Sequence, residues 1–142
     1  MRVTRPAHLQ PRLLALVFLG GACGALSRWG LLEVMSDQYL PIAVANLLGS
    51  LLMGLLLGTL WVLGPDDGRL RAVRLTLGTG FLGGFTTYSS FASHVVFLGL
   101  LGDPVRWFAY TAGSVLGGLA LAAIGLWLGR RLGRAMRGRR AA

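Results

Sequence analysis

Thr79-Gly80-Phe81-Leu82-Gly83-Gly84-Phe85-Thr86-Thr87-Tyr88-Ser89-Ser90-Phe91 lies within a charge-free run from Leu75 to Gly102, and its composition decides the architecture. The run is 28 residues long, enough for a bilayer crossing, which takes ~17–25 residues. Yet Gly78, Gly80, Gly83 and Gly84, followed by Thr86, Thr87, Tyr88, Ser89 and Ser90, bring too much Gly and β-branched residue for an uninterrupted helix. Non-helical backbone at membrane depth is tolerated only where protein or water satisfies its polar groups. A break near Gly83 to Thr87 is therefore expected, turning carbonyls and amides toward the protein interior. Transporters and channels build ion sites from discontinuous helices in this way.

Three more charge-free runs flank this one: Leu13 to Ser27, Tyr39 to Pro65 and Trp107 to Gly129. Hydrophobic residues make up 54% of the 142-residue chain and charged residues 13%, against ~25% charged in soluble domains. A soluble enzyme, a disulfide scaffold and a disordered protein are all excluded. The expectation is an all-α membrane protein, residues 1–142 forming one four-helix domain with spans near 13–32, 39–63, 75–102 and 105–129, the third of them broken near mid-membrane. Short connections (Glu33 to Gln38, Pro65 to Arg74, Asp103 to Arg106) leave any function within or between the helices.

Several tempting motifs fail on context. Gly78-Thr79-Gly80-Phe81-Leu82-Gly83 satisfies the dinucleotide fingerprint, with Asp103 at a suitable offset, but that motif needs a preceding strand and a soluble βαβ unit. The basic start (Arg2, Arg5, Arg12) before Leu13 to Ala25 imitates a signal peptide, yet with three more spans following, a first membrane helix is the simpler account. Cys23 stands alone and forms no internal disulfide. His94 has no second His, Cys or carboxylate nearby in sequence and reads as a hydrogen-bonded helix histidine. The arginine-rich tail from Arg130 to Arg140 is a topology anchor against anionic lipid rather than a nucleic-acid site.

Glycines recur at four-residue spacing: Gly20/Gly24, Gly54/Gly58, Gly80/Gly84, Gly113/Gly117 and Gly125/Gly129. In lipid, such faces let helix backbones approach closely. Four thin helices enclose almost no interior, so an oligomer is expected. Asn46 and Ser50 share one face of the second span, and Tyr110 and Ser114 one face of the fourth. With Thr86, Thr87, Ser89 and Ser93 they compose a neutral, donor-rich path suited to a small ion. All five acidic residues (Glu33, Asp37, Asp66, Asp67, Asp103) fall in connections, so no mid-membrane carboxylate is present to take a cation or proton. Hydroxyls, the Asn46 amide, helix N-termini and Arg28 favour an anion instead. Tyr88 and Phe91, three apart beyond the break, can turn electropositive ring edges toward such a path.

At these residues the chain resembles the Fluc (CrcB) small fluoride channels. The likeness is carried by Gly20-Gly21-Ala22-Cys23-Gly24-Ala25-Leu26-Ser27-Arg28, by Ala45-Asn46-Leu47-Leu48-Gly49-Ser50 and, most specifically, by Thr79 to Phe91. The resemblance implies passive fluoride export across the cell membrane by an antiparallel dimer with two pathways. It also implies a structural Na⁺ at the dimer centre, held by backbone carbonyls at positions matching Gly83 and Thr86 of each subunit. Asn46, Tyr88, Phe91, Tyr110 and Ser114 map onto pore-lining positions, and Arg28 is expected at a vestibule. The chain departs from the family pattern at Tyr88, where Phe is usual, at His94, where Glu is common, and at Gly118, where some members continue the hydroxyls.

The competing classes are a small four-helix transporter for another anion or a drug, and a non-transporting assembly subunit. Four crossings place both ends and the Pro65 to Arg74 loop on one side, with twelve arginines there against Arg28 and Arg106 opposite. Arg excess in short loops sets orientation, so both ends are expected mainly in the cytoplasm. The antiparallel partner is then a second, oppositely oriented homologue, with the homodimer as its rival.

Overall fold

The computed structural model describes residues 10–141; Arg2 and Arg5, and the side chain of Arg140, lie outside what it describes. The chain runs α1 (Pro11–Val34), α2 (Leu40–Leu63), α3 (Gly68–Val73), a π-helical segment (Arg74–Leu82), α4 (Gly83–Phe85), α5 (Tyr88–Leu100) and α6 (Pro104–Ala141). The described residues contain no strand. α1, α2 and residues Pro104–Arg139 of α6 are each long and apolar enough to cross a membrane, so this is an all-helical membrane protein.

Local chemistry sets the helix ends. Proline stands in the first turn of α1 and of α2, where its missing N–H costs nothing. Asp37 Oδ1 accepts from the amides of Tyr39 and Leu40 at 2.7 and 2.6 Å, and Asp103 Oδ1 accepts from the Arg106 amide at 3.0 Å. The chain turns from α5 into α6 at Gly102, whose φ of 69° only glycine adopts freely.

Two glycine seams hold the bundle. In the first, α1 lies against the π-helical segment and α4: a Cβ on Gly20 would strike the Thr76 carbonyl oxygen, one on Gly24 that of Phe81, and one on Gly84 that of Gly21. In the second, a Cβ on Gly54 or Gly58 of α2 would strike the carbonyl of Ala122 or Leu126 of α6, and one on Gly125 or Gly129 that of Leu51 or Leu55. Backbone rather than side chain is the neighbour, as expected where van der Waals contact must drive association in lipid. Partner numbers rise together in both seams, so α1 runs parallel to the π-helical segment and α2 parallel to α6. Gly113 and Gly117 join neither seam: nothing approaches a Cβ on Gly113 within 4 Å, and only the Leu47 side chain meets one on Gly117.

The break falls at Thr86–Thr87, within the expected Gly83 to Thr87 stretch, while Gly78 to Gly84 stay helical, Gly80 and Gly84 with their backbone against α1. Three boundaries differ from expectation. Residues 68–73, expected as loop, form α3, tied back through Asp66 to Arg74 (2.8 Å) and Arg71. α6 continues twelve residues past Gly129, since arginine is a good helix former and Gly133 still packs on Thr59 and Val62 of α2. Glu33 belongs to the last turn of α1 rather than to the connection.

Buried apolar side chains are few: Leu13, Ile42, Ala45, Leu82, Phe85 and Leu98. Large ones such as Phe18, Trp61 and Leu100 stand outward, the arrangement of a thin bundle that presents its apolar surface to lipid.

Candidate functional site: the helix break

Between α4 and α5 the backbone is extended at Thr86 (φ −84°, ψ 157°) and Thr87 (φ −149°, ψ 121°). An unbroken helix would bond the amides of Thr87, Tyr88 and Ser90 to the carbonyls of Gly83, Gly84 and Thr86. Each of the three pairings is replaced or dissolved. The Thr87 amide donates to Asn46 Oδ1 at 2.8 Å, while Asn46 Nδ2 donates to the Thr87 carbonyl at 3.0 Å. Asn46 thus grips both polar groups of one residue, as a neighbouring strand would. The Gly84 carbonyl accepts from Arg28 Nε at 3.2 Å. The Ser90 amide donates to Thr87 Oγ1 at 3.3 Å, which makes Thr87 the N-cap of α5. Deprived of their helical donors, the Gly83 and Thr86 carbonyls are left for another partner.

Both of those residues line an open cavity of about 570 Å³ whose walls also include Asn46, Ser50, Tyr88 and Phe91. Ser50 Oγ donates to the Asn46 carbonyl at 2.8 Å. The cavity therefore has carbonyls from the end of α4 on one flank and the start of α5 on the other. The Tyr88 and Ser89 amides belong to the first turn of α5, which has no carbonyl of its own helix to bond and carries the positive end of the helix dipole.

Beyond the cavity the aromatic side chains form a file. Tyr88 and Phe91 have ring centroids 6.1 Å apart, Phe91 and Tyr110 stack at 5.7 Å, and Tyr39 meets Tyr110 at 5.8 Å. Stacking covers ring faces and leaves electropositive edges available. Tyr110 is fixed by a 3.0 Å hydrogen bond between its hydroxyl and His94 Nδ1, and the Tyr39 ring stands edge-on to His94 at 5.1 Å. Two amides, Leu40 first and then Tyr39, hold the nearby Asp37 carboxyl below its ordinary range, keeping it ionised. Along α6, Ser114 is one turn from Tyr110, and a Cβ on Gly118, one turn further, would stand 3.4 Å from Ser50 Oγ. The stripe Tyr110, Ser114, Gly118 thus leads from the ring file back to α2.

Of the residues singled out from sequence, Asn46, Gly83, Thr86, Tyr88 and Phe91 meet at the cavity. Tyr110 joins them through Phe91, and Ser89 joins through Thr87, their hydroxyls lying 3.1 Å apart. Arg28, six residues before the end of α1, is engaged with the backbone at the break. Sequence reading missed Tyr39, the capping role of Thr87 and the Arg28–Gly84 tether. Only Thr87 carried a local signal, a Thr placed before a helical apolar run.

Three apolar spans and a discontinuous helix with its termini turned to a shared cavity define a small helical membrane protein of the kind that meets ions with helix ends. The chain belongs to the CrcB family: residues 15–126 match the family described as CrcB-like protein, Camphor Resistance (CrcB). It is 40% identical over 136 residues to the fluoride-specific ion channel FluC 2 of Leifsonia xyli subsp. xyli, with 93% of each chain covered. It is 42% identical over 124 residues to the fluoride-specific ion channel FluC 2 of Bacillus subtilis, covering 85% of this chain and 90% of that one. The fluoride-specific ion channel FluC of Hyphomonas neptunium is 40% identical over 123 residues, covering 82% of this chain and 94% of its own.

Proposed function

We propose that this chain is a fluoride-specific ion channel that lets fluoride leave the cell passively, and that it is a channel rather than an enzyme. The observation that carries this is the break at Thr86–Thr87, clamped by Asn46 and Arg28, in a chain at least 40% identical to named fluoride-specific channels over most of its length. α3, the π-helical segment, α4 and α5 together make a further crossing, four in all, and the parallel register of α1 with the π-helical segment supports it. The open cavity is closed by a second, antiparallel subunit.

Fluoride is small and strongly hydrated, so a path must replace its water while letting it go. The Asn46 amide, the hydroxyls of Ser89, Tyr110 and Ser114, and the α5 amides are donors suited to that exchange. The edges of Tyr88 and Phe91 are weaker stations from which the ion departs. Fixing Tyr110 through His94 and Tyr39 keeps the file in register.

The Gly83 and Thr86 carbonyls fit a structural Na⁺: hard oxygens, stripped of helical donors, at one cavity that a twofold partner would double. Among the described residues no three His, Cys, Asp or Glu side chains gather, so carbonyls are the ligands such an ion meets there. When bound, the ion supplies positive charge at the junction of the two subunits, while Asn46 and Arg28 hold the backbone that presents the carbonyls.

The arginine asymmetry favours insertion in the plasma membrane with both ends cytoplasmic and a second, oppositely oriented homologue as partner. A terminal topology reporter on the chain expressed alone separates this from the homodimer, which requires equal labelling from both sides. For the function, fluoride efflux is followed from liposomes holding the purified protein, alone and with its partner. Fluoride release with negligible chloride release is expected; comparable release of both ions, or none with either subunit composition, contradicts the proposal.

A further inference from the structure

On the other side of Leu82, which also walls the first cavity, a second cavity of about 520 Å³ lies between Leu52 to Leu63 of α2, Leu70 of α3, Phe81 of the π-helical segment, and Leu132 and Met136 of α6. The one wall residue with a polar side chain, Thr59, has its hydroxyl committed to the carbonyls of Leu55 (2.8 Å) and Gly129 (3.2 Å). The cavity therefore offers water no partner, and a space this large and apolar takes an apolar guest. Its long wall, from Leu52 to Leu63, rises about 16 Å at 1.5 Å per residue. That matches one leaflet of a hydrocarbon core ~30 Å thick. At the far end of that wall the surroundings turn basic. Arg137 Nη1 donates to the Val62 carbonyl at 3.4 Å, next to Leu63, and Arg71 and Arg74, on either side of Val73, share the single Asp66 carboxylate.

We propose that this cavity is a binding site for one anionic phospholipid, its acyl chain between α2, the π-helical segment and α6 and its phosphate at Arg137. An apolar slot one leaflet deep selects an acyl chain, and the excess arginine at its mouth selects negative headgroup charge, the pattern of basic inter-helix lipid sites. The lipid would wedge α3 and the basic end of α6 in place, coupling the arginine-rich end of the chain to membrane composition.

Native mass spectrometry of the purified full-length chain, with phosphatidylglycerol or phosphatidylcholine of identical acyl chains, tests the assignment. The wild type retains phosphatidylglycerol in preference to phosphatidylcholine. Leu132→Trp, which fills the slot, loses both. Arg137→Gln keeps lipid but lowers the preference about fivefold, the worth of one interfacial arginine. Equal retention of the two lipids by the wild type, or undiminished phosphatidylglycerol on Leu132→Trp, overturns the proposal. Should Leu132→Trp fail to fold, Arg137→Gln decides alone, and an unchanged lipid preference overturns it.

Discussion

Replacing Asn46 by Ala removes the side chain that bonds both polar groups of Thr87, at 2.8 Å from its amide and 3.0 Å from its carbonyl. Each buried polar group left unpaired costs about 1–3 kcal/mol. Thr87 and Asn46 are part-buried, and the cavity beside them admits some solvent, so the lower end applies to each group. A total of about 2 kcal/mol shifts the balance between clamped and released break roughly 30-fold. The Gly83 and Thr86 carbonyls and the α5 amides then lose their common geometry. Fluoride flux through reconstituted Asn46→Ala is expected to fall by up to that factor, with a lower melting temperature in detergent. Asn46→Asp keeps an acceptor for the Thr87 amide but sets a carboxylate oxygen against the Thr87 carbonyl, so it rescues little. Wild-type flux and melting in Asn46→Ala would refute the clamp, because water alone would then be satisfying the break.

Tyr88, 80% exposed at the cavity edge, is expected to conduct as Tyr88→Phe and nearly cease as Tyr88→Ile; normal flux in a folded Tyr88→Ile variant makes the ring mere filler. Gly24→Ala drives a Cβ into the Phe81 carbonyl and destabilises by about 1–3 kcal/mol, whereas Gly113→Ala, with nothing within 4 Å, leaves detergent melting unchanged. Asp66 has its carboxyl lowered, chiefly by the hydrogen bond from Arg74. A depressed folded value means the Asp66 contribution is present above the ordinary carboxylate pKa, ~3.9, and is lost only as pH falls through the lowered one. Carboxyl NMR should show Asp66 titrating below that value, and Arg74→Gln should move it upward.

What could be read from the sequence was whatever depends on local spacing. The glycine pairs of α1, α2, the broken segment and α6 announced close faces, and four of the five pairs meet backbone. Gly113/Gly117 has the same spacing but no helix arrives there, because spacing supplies a small face and only the tertiary arrangement supplies a neighbour. Asn46 stood out as an amide in an apolar run and was expected on one path with Thr86 and Thr87; its grip on Thr87, 41 residues away, was not legible. Arg28 likewise read as a charge near a helix end, whereas its role is fixed by a carbonyl 56 residues distant. The break lies at the threonine end of the Gly83 to Thr87 stretch where it was expected, because glycines such as Gly80 and Gly84 are used for packing and the extended backbone falls on the two threonines that follow. The arginine-rich segment after Gly129 read as a tail by its charge, yet Gly133 against Thr59 keeps it on the bundle.

The most direct test of the account is the reversal potential of currents through the reconstituted protein, recorded alone and with the proposed partner subunit, under a fluoride gradient at fixed chloride and with an imposed pH gradient. A fluoride channel lined by neutral donors and ring edges predicts reversal at the fluoride equilibrium potential, independent of the pH gradient and of chloride. Reversal that follows chloride, or that shifts with the proton gradient as coupled exchange requires, would contradict it.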